Sequence, residues 1–423
     1  MRAGRMWPDR MRGARISARD RFFAAVEVTR IIGPLRTPDA DAVRAALAGL
    51  HADRPGARVV SRLDLAGGRW RPVPAADAPA WVRNLVIDAG PDADADTTLA
   101  RLRAEPLGQR PLLFGVGGAY AGLRFNHALG DGRFPAPLML GVLSAAAAGE
   151  PARYPYPSAT RLPLLRALGH HLGRRPGRLR AAAGLDRPPS PPATGDELPW
   201  RPAIAHHWAR SQPGAASRLR AWRDRHAPAA SIGAVLSAAV TVAFRAHVGP
   251  GDRPGVMVLV DSRRYLPDGV SVNGNFVSGQ YVAPPDPSDP CAVHEAMSES
   301  LRSGRSLTAL ALHNARLALT GAPRPPDTVP REPGPHLTLT YVGRADRYAN
   351  LPWLAGHPQR RLINVVSTAG PQGVTVAVEE FGDVLHATTT FHENVFDPAA
   401  MAAATDALVH HAPDLLAHVN PQS

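Results

Sequence analysis

The chain has 423 residues, enough for two or three domains, and its 44% hydrophobic and 20% charged residues are typical of a globular protein. All 48 basic residues are arginine, and with 36 acidic residues the formal net charge is +12. Because lysine is absent, enzymes that need an amine side chain are excluded, including pyridoxal enzymes, P-loop nucleoside triphosphatases and protein kinases.

Hydrophobic periodicity predicts strands interleaved with helices along the whole chain. In chain order, the predicted elements are a helix at 39–51, strands at 57–65 and 70–74, a helix at 94–104, strands at 111–116 and 121–127, helices at 137–148, 213–226 and 231–247, a strand at 255–261, a helix at 289–302, strands at 336–342, 361–368, 374–381 and 384–392, and a helix at 397–417.

A proline-rich segment, 184–202, divides this pattern, since it can hold neither a regular helix nor an inner strand. The sequence therefore predicts an N-terminal lobe at 1–183, a linker, and a C-terminal lobe at 203–423. Mixed strands and helices on both sides of the linker predict an α/β class, an α+β sandwich in each lobe.

The number of cysteines and the lengths of the apolar runs indicate the cellular compartment. A single cysteine, Cys291, excludes an intrachain disulfide framework and a cysteine-rich metal site. Residues 1–21 are arginine-rich and lack the apolar stretch of a signal peptide, and the longest apolar run, 232–244, is too short to span a bilayer. We expect a cytoplasmic protein without a membrane span.

The positive charge has several interpretations. Abundant arginine, alanine, glycine and proline without lysine is typical of a GC-rich coding bias, so the charge need not mark a polyanion site. The densest run, 170–180, holds four arginines and no aromatic residue, which favours a solvated helix face over a nucleic-acid surface. A basic nucleic-acid binder of unrelated fold is kept as an alternative, and the same charge would steer an acidic carrier protein or a phosphate-bearing ligand.

Several familiar motifs are weak or absent. Segment 115–118 lacks the third glycine of a dinucleotide site and is followed by an apolar strand, so a hairpin turn is predicted there. The histidine doublets at 170–171, 206–207 and 410–411 point in different directions on a helix, so no metal site is predicted.

The most informative segment runs from Leu123 to Gly132, where a strand delivers His127 at its end and Asp131-Gly132 follows in a turn. An imidazole works as a base near neutral pH if its other nitrogen is fixed by a partner. Gly132 is predicted to permit a backbone conformation that other residues resist. The structural alternative is that Asp131 caps the next helix and His127 is an ordinary residue at the end of a strand.

This His-x-x-x-Asp-Gly pattern resembles the signature of the chloramphenicol acetyltransferase-like superfamily, which includes peptide-synthetase condensation domains, plant BAHD acyltransferases, and polyketide-associated and wax-ester acyltransferases. Two later segments support the resemblance: Val260-Asp-Ser-Arg263-Arg264-Tyr-Leu-Pro267 with Gly274-Asn275-Phe276-Val277, and Leu339-Thr-Tyr-Val-Gly343-Arg344.

The resemblance implies two similar lobes, a pseudo-dimer, with a tunnel between them. An acyl thioester of coenzyme A or a carrier protein and a small hydroxyl or amine acceptor would enter it, and the acyl transfer would belong to lipid or natural-product biosynthesis. His127 would be the general base, and Asp131 would pair with Arg263 or Arg264 to hold the loop. The oxyanion or tunnel-lining candidates are Gly132, Asn126, Asn275 and Ser367. No metal or bound cofactor is implied, and a monomer is expected.

The sequence also departs from the family pattern. Asn126 stands where condensation domains usually carry a first histidine, and Glu380-Phe381-Gly382-Asp383 only echoes the BAHD motif. His392 echoes the His127 strand and is interpreted as a non-catalytic relic. A catalytically silent protein that binds a carrier protein or small ligand is therefore the main alternative to an acyltransferase. The acyl chain and the acceptor are left open.

Overall fold

The computed structural model describes residues 13–157, 160–173, 177, 180, 182, 196–251, 253–320, 326–354 and 360–419. The α-helices of these residues are α1 Ala18–Phe22, α2 Ala40–Asp53, α3 Ala78–Arg83, α4 Ala95–Ala104, α5 Pro135–Ala148, α6 Pro163–Leu168, α7 Ala215–His226, α8 Ile232–His247, α9 Pro290–Ser303, α10 Arg305–Thr320 and α11 Pro398–Val419. The strands are β1 Ala14–Arg15, β2 Glu27–Gly33, β3 Arg62–Asp64, β4 Arg69–Arg71, β5 Val86–Gly90, β6 Leu112–Gly117, β7 Tyr120–Asn126, β8 Glu197–Pro199, β9 Ile204–Arg210, β10 Val256–Asp261, β11 Val277–Val282, β12 Thr328–Pro330, β13 His336–Arg344, β14 Arg361–Val366, β15 Gly373–Phe381 and β16 Val384–His392.

The chain divides into two units. Unit 1 comprises Met1–Ser158, Asn273–Asn275 and Arg347–Leu362, and unit 2 comprises Ala159–Val272, Phe276–Asp346 and Ile363–Ser423. This division differs from the predicted break at 184–202. Residues 184–195 lie outside the described residues, while β8, within the predicted linker, pairs antiparallel with β12. Short segments that join a unit through distant contacts carry no local composition signal.

In unit 1, strands β2, β7, β6 and β5 lie side by side in that order. Strand β7 runs antiparallel to both β2 and β6, whereas β5 and β6 are parallel. Gly118, with φ +51°, lies in the turn between β6 and β7, which confirms the predicted hairpin. The strand that carries the candidate base at its end is therefore an inner one.

A close approach of helix α4 fixes β7 in this sheet. Gly115 and Gly122 face each other across β6 and β7. A Cβ on Gly122 would lie 2.5 Å from Leu102 Cδ1 and 2.6 Å from Ile31 Cδ1. Only glycine leaves room for Leu102, which is fully buried. The two glycines therefore let helix α4 pack directly against strands β6 and β7.

Unit 2 contains a six-stranded mixed sheet in the order β11, β10, β13, β15, β16, β9. Helices α8 and α11 contribute apolar side chains to its main core, including Phe244 and Met401, which pack with Val376 and Phe391 of the sheet. The mixture of helices and sheets confirms the predicted α/β class.

Helix ends follow the sequence signals closely. The side chains of Asp39, Asp94, Ser231 and Asp289 each accept a backbone N–H at the start of a predicted helix, as N-caps do. The last helix, α11, is kinked at His411, two residues before Pro413, whose missing N–H breaks the helical ladder.

The echo of the BAHD motif has a plain structural explanation. Gly382 and Asp383, with φ +56° and +64°, connect β15 to β16, and Phe381 pairs with Val384 across the turn. Two consecutive left-handed residues are what a tight hairpin needs.

Among the described residues, no helix combines the length and the apolar character needed to cross a membrane. No group of three or more metal-binding side chains occurs in the described ranges.

A buried histidine in unit 2 predicts how stability depends on pH. Burial lowers the pKa of His386 to about 4, against an opposing effect of Glu379, and Arg210 lowers it further. Between pH 6.5 and 4 the unfolded state binds a proton that the native state does not, so stability falls as the pH falls. The resulting loss in the free energy of unfolding that is due to His386 reaches about 3 kcal/mol.

We expect His386→Gln to flatten the decline of melting temperature between pH 6.5 and 4. The matched control is His410→Gln, since His410 is exposed and should leave the slope unchanged. Identical slopes for the wild type and His386→Gln would contradict this prediction.

Candidate active site

His127 lies where β7 ends and a 3₁₀ turn, His127–Leu129, begins. Its backbone N–H donates to the carbonyl of Val26 at 2.9 Å. The side chain is 9% exposed. An inner strand therefore delivers the imidazole to a fixed, almost enclosed place.

Asn126 caps this turn. Its Oδ1 accepts the Ala128 N–H at 2.9 Å, and its Nδ2 donates to the Ala24 carbonyl at 2.8 Å. The residue that replaces the family's first histidine thus ties the turn to the segment before β2. These contacts favour a structural role for Asn126 over the predicted oxyanion role.

The imidazole is held through one nitrogen by Asn275. His127 Nδ1 lies 2.9 Å from Asn275 Oδ1. Asn275 Nδ2 donates to the His127 carbonyl at 2.8 Å and to Asp20 Oδ1 at 3.1 Å. Since both Nδ2 protons are given to oxygen acceptors, Oδ1 accepts from His127, and Nδ1 carries the proton.

The other imidazole nitrogen, Nε2, has no hydrogen-bond partner among the described residues. With the proton on Nδ1, the Nε2 lone pair is basic. Burial lowers the pKa of His127 below its ordinary value, against the opposing effects of the Asp131 carboxylate, the hydrogen bonds and Asp20. The imidazole is therefore neutral at pH 7, the form a general base needs.

Aromatic rings surround the imidazole. Phe23 stacks on it, with ring centroids 4.7 Å apart and planes 19° apart, and Phe125 lies 6.3 Å away. These rings supply the apolar environment that lowers the pKa, and they hold the ring plane. Phe23 was not among the predicted site residues, because no helix was predicted at 18–22.

Behind Asn275 lies a second residue that the sequence analysis missed. Asp20, on α1, is fully buried. Its Oδ1 accepts the Asn275 N–H at 2.9 Å as well as the Asn275 side-chain amide. Its Oδ2 accepts the Ser17 hydroxyl at 2.7 Å and pairs with Arg58 at 3.1 Å. The spacing Ser17-x-x-Asp20 is a helix-start signal, but it does not announce a buried carboxylate.

Gly274 explains the glycine of the Gly-Asn-Phe segment. Its φ is +110°, and a Cβ there would lie 2.7 Å from Asp20 Oδ1 and 3.0 Å from the Arg58 guanidinium. Only glycine lets this segment approach the carboxylate.

The Asp131-Gly132 turn differs in part from the prediction. Asp131 is 2% exposed, and its Oδ1 accepts the Arg133 N–H at 3.2 Å. The next helix is capped at Phe134 without a side-chain bond, so Asp131 is not its N-cap. Gly132 is exposed, its φ lies outside the left-handed region, and a Cβ would meet nothing within 4 Å. The conformational reason predicted for Gly132 was therefore wrong.

The remaining predicted residues, Arg263 and Ser367, lie in unit 2. Arg263 donates to Asp261 Oδ1 through its backbone N–H at 3.0 Å and its guanidinium at 3.2 Å. Ser367 follows the end of β14. The Asp131–Arg263 pair and the role of Ser367 stay predictions.

His392 provides an internal contrast. Its Nδ1 accepts the Ala203 N–H at 3.1 Å, and its Nε2 lies 3.0 Å from the Thr368 hydroxyl. Both nitrogens are engaged in unit 2, which favours a structural role, as the sequence analysis expected.

The two glycines give a paired prediction. Gly274→Ala should lower the free energy of unfolding by about 1–3 kcal/mol, because it strains the backbone and crowds Asp20. Gly132→Ala should stay within about 0.5 kcal/mol of the wild type, as exposed substitutions do. Urea denaturation measures both, and equal losses would contradict the interpretation of Gly274.

No family model and no curated protein matches this sequence. Solved structures do match over nearly the whole chain. Polyketide synthase associated protein 5 from Mycobacterium tuberculosis is 18% identical, with a TM-score of 0.58, and covers 94% of this chain and 98% of its own. The TRI3 trichothecene 15-O-acetyltransferase from Fusarium sporotrichioides is 11% identical, with a TM-score of 0.61 and coverages of 96% and 95%.

The first condensation domain of the CDA synthetase is also similar, at 17% identity and a TM-score of 0.55, covering 93% of this chain and 90% of its own. At such identities the likeness concerns the fold. The chain has the chloramphenicol acetyltransferase-like fold that the sequence resemblance predicted.

Proposed function

We propose that this chain is an acyltransferase that moves an acyl group from a thioester to a hydroxyl or amine acceptor. The observation that carries the proposal is the state of His127: Nδ1 donates a hydrogen bond to Asn275, and Nε2 is basic and has no hydrogen-bond partner among the described residues. A buried neutral imidazole held this way is suited to take a proton from an attacking group.

In the proposed reaction, Nε2 accepts the proton of the acceptor O–H or N–H while that oxygen or nitrogen attacks the thioester carbonyl. The C–S bond of the tetrahedral intermediate then breaks, and the imidazolium returns the proton to the thiolate. The Asp131 and Asp20 carboxylates favour the transient imidazolium. The chemistry requires no metal or resident cofactor.

The donor is proposed to be an acyl-coenzyme A or an acyl carrier protein, and the acceptor a small molecule of lipid or natural-product biosynthesis. The neighbours with this fold include an acetyltransferase and a condensation domain of the CDA synthetase, which supports this class of chemistry. The nucleic-acid alternative presumed an unrelated fold and does not fit.

His127 is the decisive residue for the first test. We expect His127→Ala to fold normally and to lose about 10²–10⁴-fold in kcat with a panel of acyl thioesters and acceptors, because proton transfer is lost. Release of free thiol and mass spectrometry of the acylated product measure the rate. His410→Ala, at an exposed position, is the control.

The catalytically silent alternative makes the opposite forecast. Under it, the wild type turns over no thioester, or His127→Ala reacts as fast as the wild type, and either result would overturn the acyltransferase proposal.

A second prediction concerns Asp131, which we propose pairs with Arg263 and so holds the His127 loop. Removing one partner of a buried pair costs about 3–5 kcal/mol, so Asp131→Ala and Arg263→Ala should each lower the melting temperature and kcat. The double variant should lose less than the sum. Arg264, the alternative partner, is exposed, and Arg264→Ala is tested in the same cycle. Strict additivity would show that Asp131 and Arg263 do not meet.

A further inference from the structure

We propose that Asp20 is a positioning residue for His127. It holds the Asn275 amide in the one orientation that puts the imidazole proton on Nδ1, and its charge, anchored by Arg58, stabilises the imidazolium. The catalytic consequence rests on the proposed function, but the effect on the imidazole itself does not.

Burying the Asp20 carboxylate carries a free-energy cost. A fully buried carboxylate is destabilising unless its oxygens are paired and hydrogen-bonded. Helix α1 does not need it as a cap, because Ser17 caps that helix. Two donors reach each oxygen: the backbone and side-chain amides of Asn275 on Oδ1, and Ser17 with Arg58 on Oδ2. The buried Asp20 carboxylate is therefore compensated in large part by its hydrogen bonds to Asn275.

The Asn275 amide has two orientations, one with its oxygen and one with its nitrogen toward the imidazole. Asp20 Oδ1 and the His127 carbonyl both accept hydrogen bonds and cannot donate them. They therefore fix the NH₂ group on their side and leave Oδ1 for His127. A reversed amide would donate to Nδ1, and the imidazole proton would move to Nε2, the nitrogen required as the base.

The negative charge of Asp20 also affects the imidazole. The carboxylates that act on the imidazole are Asp131, on the loop that follows it, and Asp20, on α1, and both oppose the effect of burial on the His127 pKa. Arg58, on the far side of Asp20, partly offsets its charge. Replacing Asp20 by a neutral residue should therefore lower the pKa of His127 further and weaken Nε2 as a base.

Nitrogen-15 NMR of the histidine side chains tests this without any substrate. The full-length protein is labelled at histidine, and the His127 signals are assigned as those missing from His127→Gln. In the wild type we expect the Nδ1–H tautomer. Asp20→Asn should shift the His127 titration to lower pH and populate the Nε2–H tautomer, whereas Asp20→Glu should restore most of the wild-type behaviour.

Asp41→Asn is the matched control, because Asp41 is an exposed helical aspartate paired with an arginine, Arg44. A wild-type Nε2–H tautomer would overturn the inference. So would an Asp20→Asn protein that keeps its near-ultraviolet circular dichroism and titrates like the wild type. If Asp20→Asn does not fold, Arg58→Gln removes the anchor of the same carboxylate and must then alter the His127 titration.

Kinetics supply the second readout. Asp20→Asn should lower kcat about tenfold or more, by analogy with the outer residues that orient metal-binding histidines. KM should change little, and the acid limb of the kcat/KM profile should move to lower pH. If His127→Ala reacts as fast as the wild type, the acyltransferase proposal fails while the NMR result still decides the role of Asp20.

Discussion

The hydrogen bond between His127 Nδ1 and Asn275 Oδ1 is the interaction on which the candidate site depends. It decides which imidazole nitrogen is basic, and a strand end alone cannot do that. The bond joins residues 148 positions apart in the sequence. Asn275, with its neighbours Asn273 and Gly274, belongs to unit 1 although the flanking chain belongs to unit 2, so both partners of the bond lie in one unit.

Two histidines at strand ends show why surroundings decide chemistry more than residue type does. His127 and His392 each lie at the end of a strand, and each contacts an aromatic ring. Phe23 packs on His127, and Trp200 packs on His392. The difference is in the second nitrogen. In His392 a backbone N–H and a threonine hydroxyl use both nitrogens, whereas in His127 one is left to accept a proton.

Much of this could be predicted from the sequence because it is local. Strand β7, the hairpin before it and the helix caps each follow from periodicity or from a residue and its near neighbours. Asp20 could not be found this way, since it lies in a five-residue helix and its burial depends on Arg58 and Asn275, both distant in sequence. The expectation for Gly132 also failed, because a glycine in a turn suggested a conformational need that the backbone there does not have.

The lysine-free composition has a consequence inside the site. Arg58 must neutralise a buried carboxylate while its own side chain is only 25% exposed, and its guanidinium lies 5.7 Å from the ring centre of Trp70. A guanidinium is more weakly hydrated than an ammonium, stays charged, and interacts favourably with an aromatic face. Arginine is thus the cation best suited to this position. The ion pair it forms with Asp20 in turn makes the orientation of Asn275, and so the basic nitrogen of His127, a property of the folded unit rather than of the histidine alone.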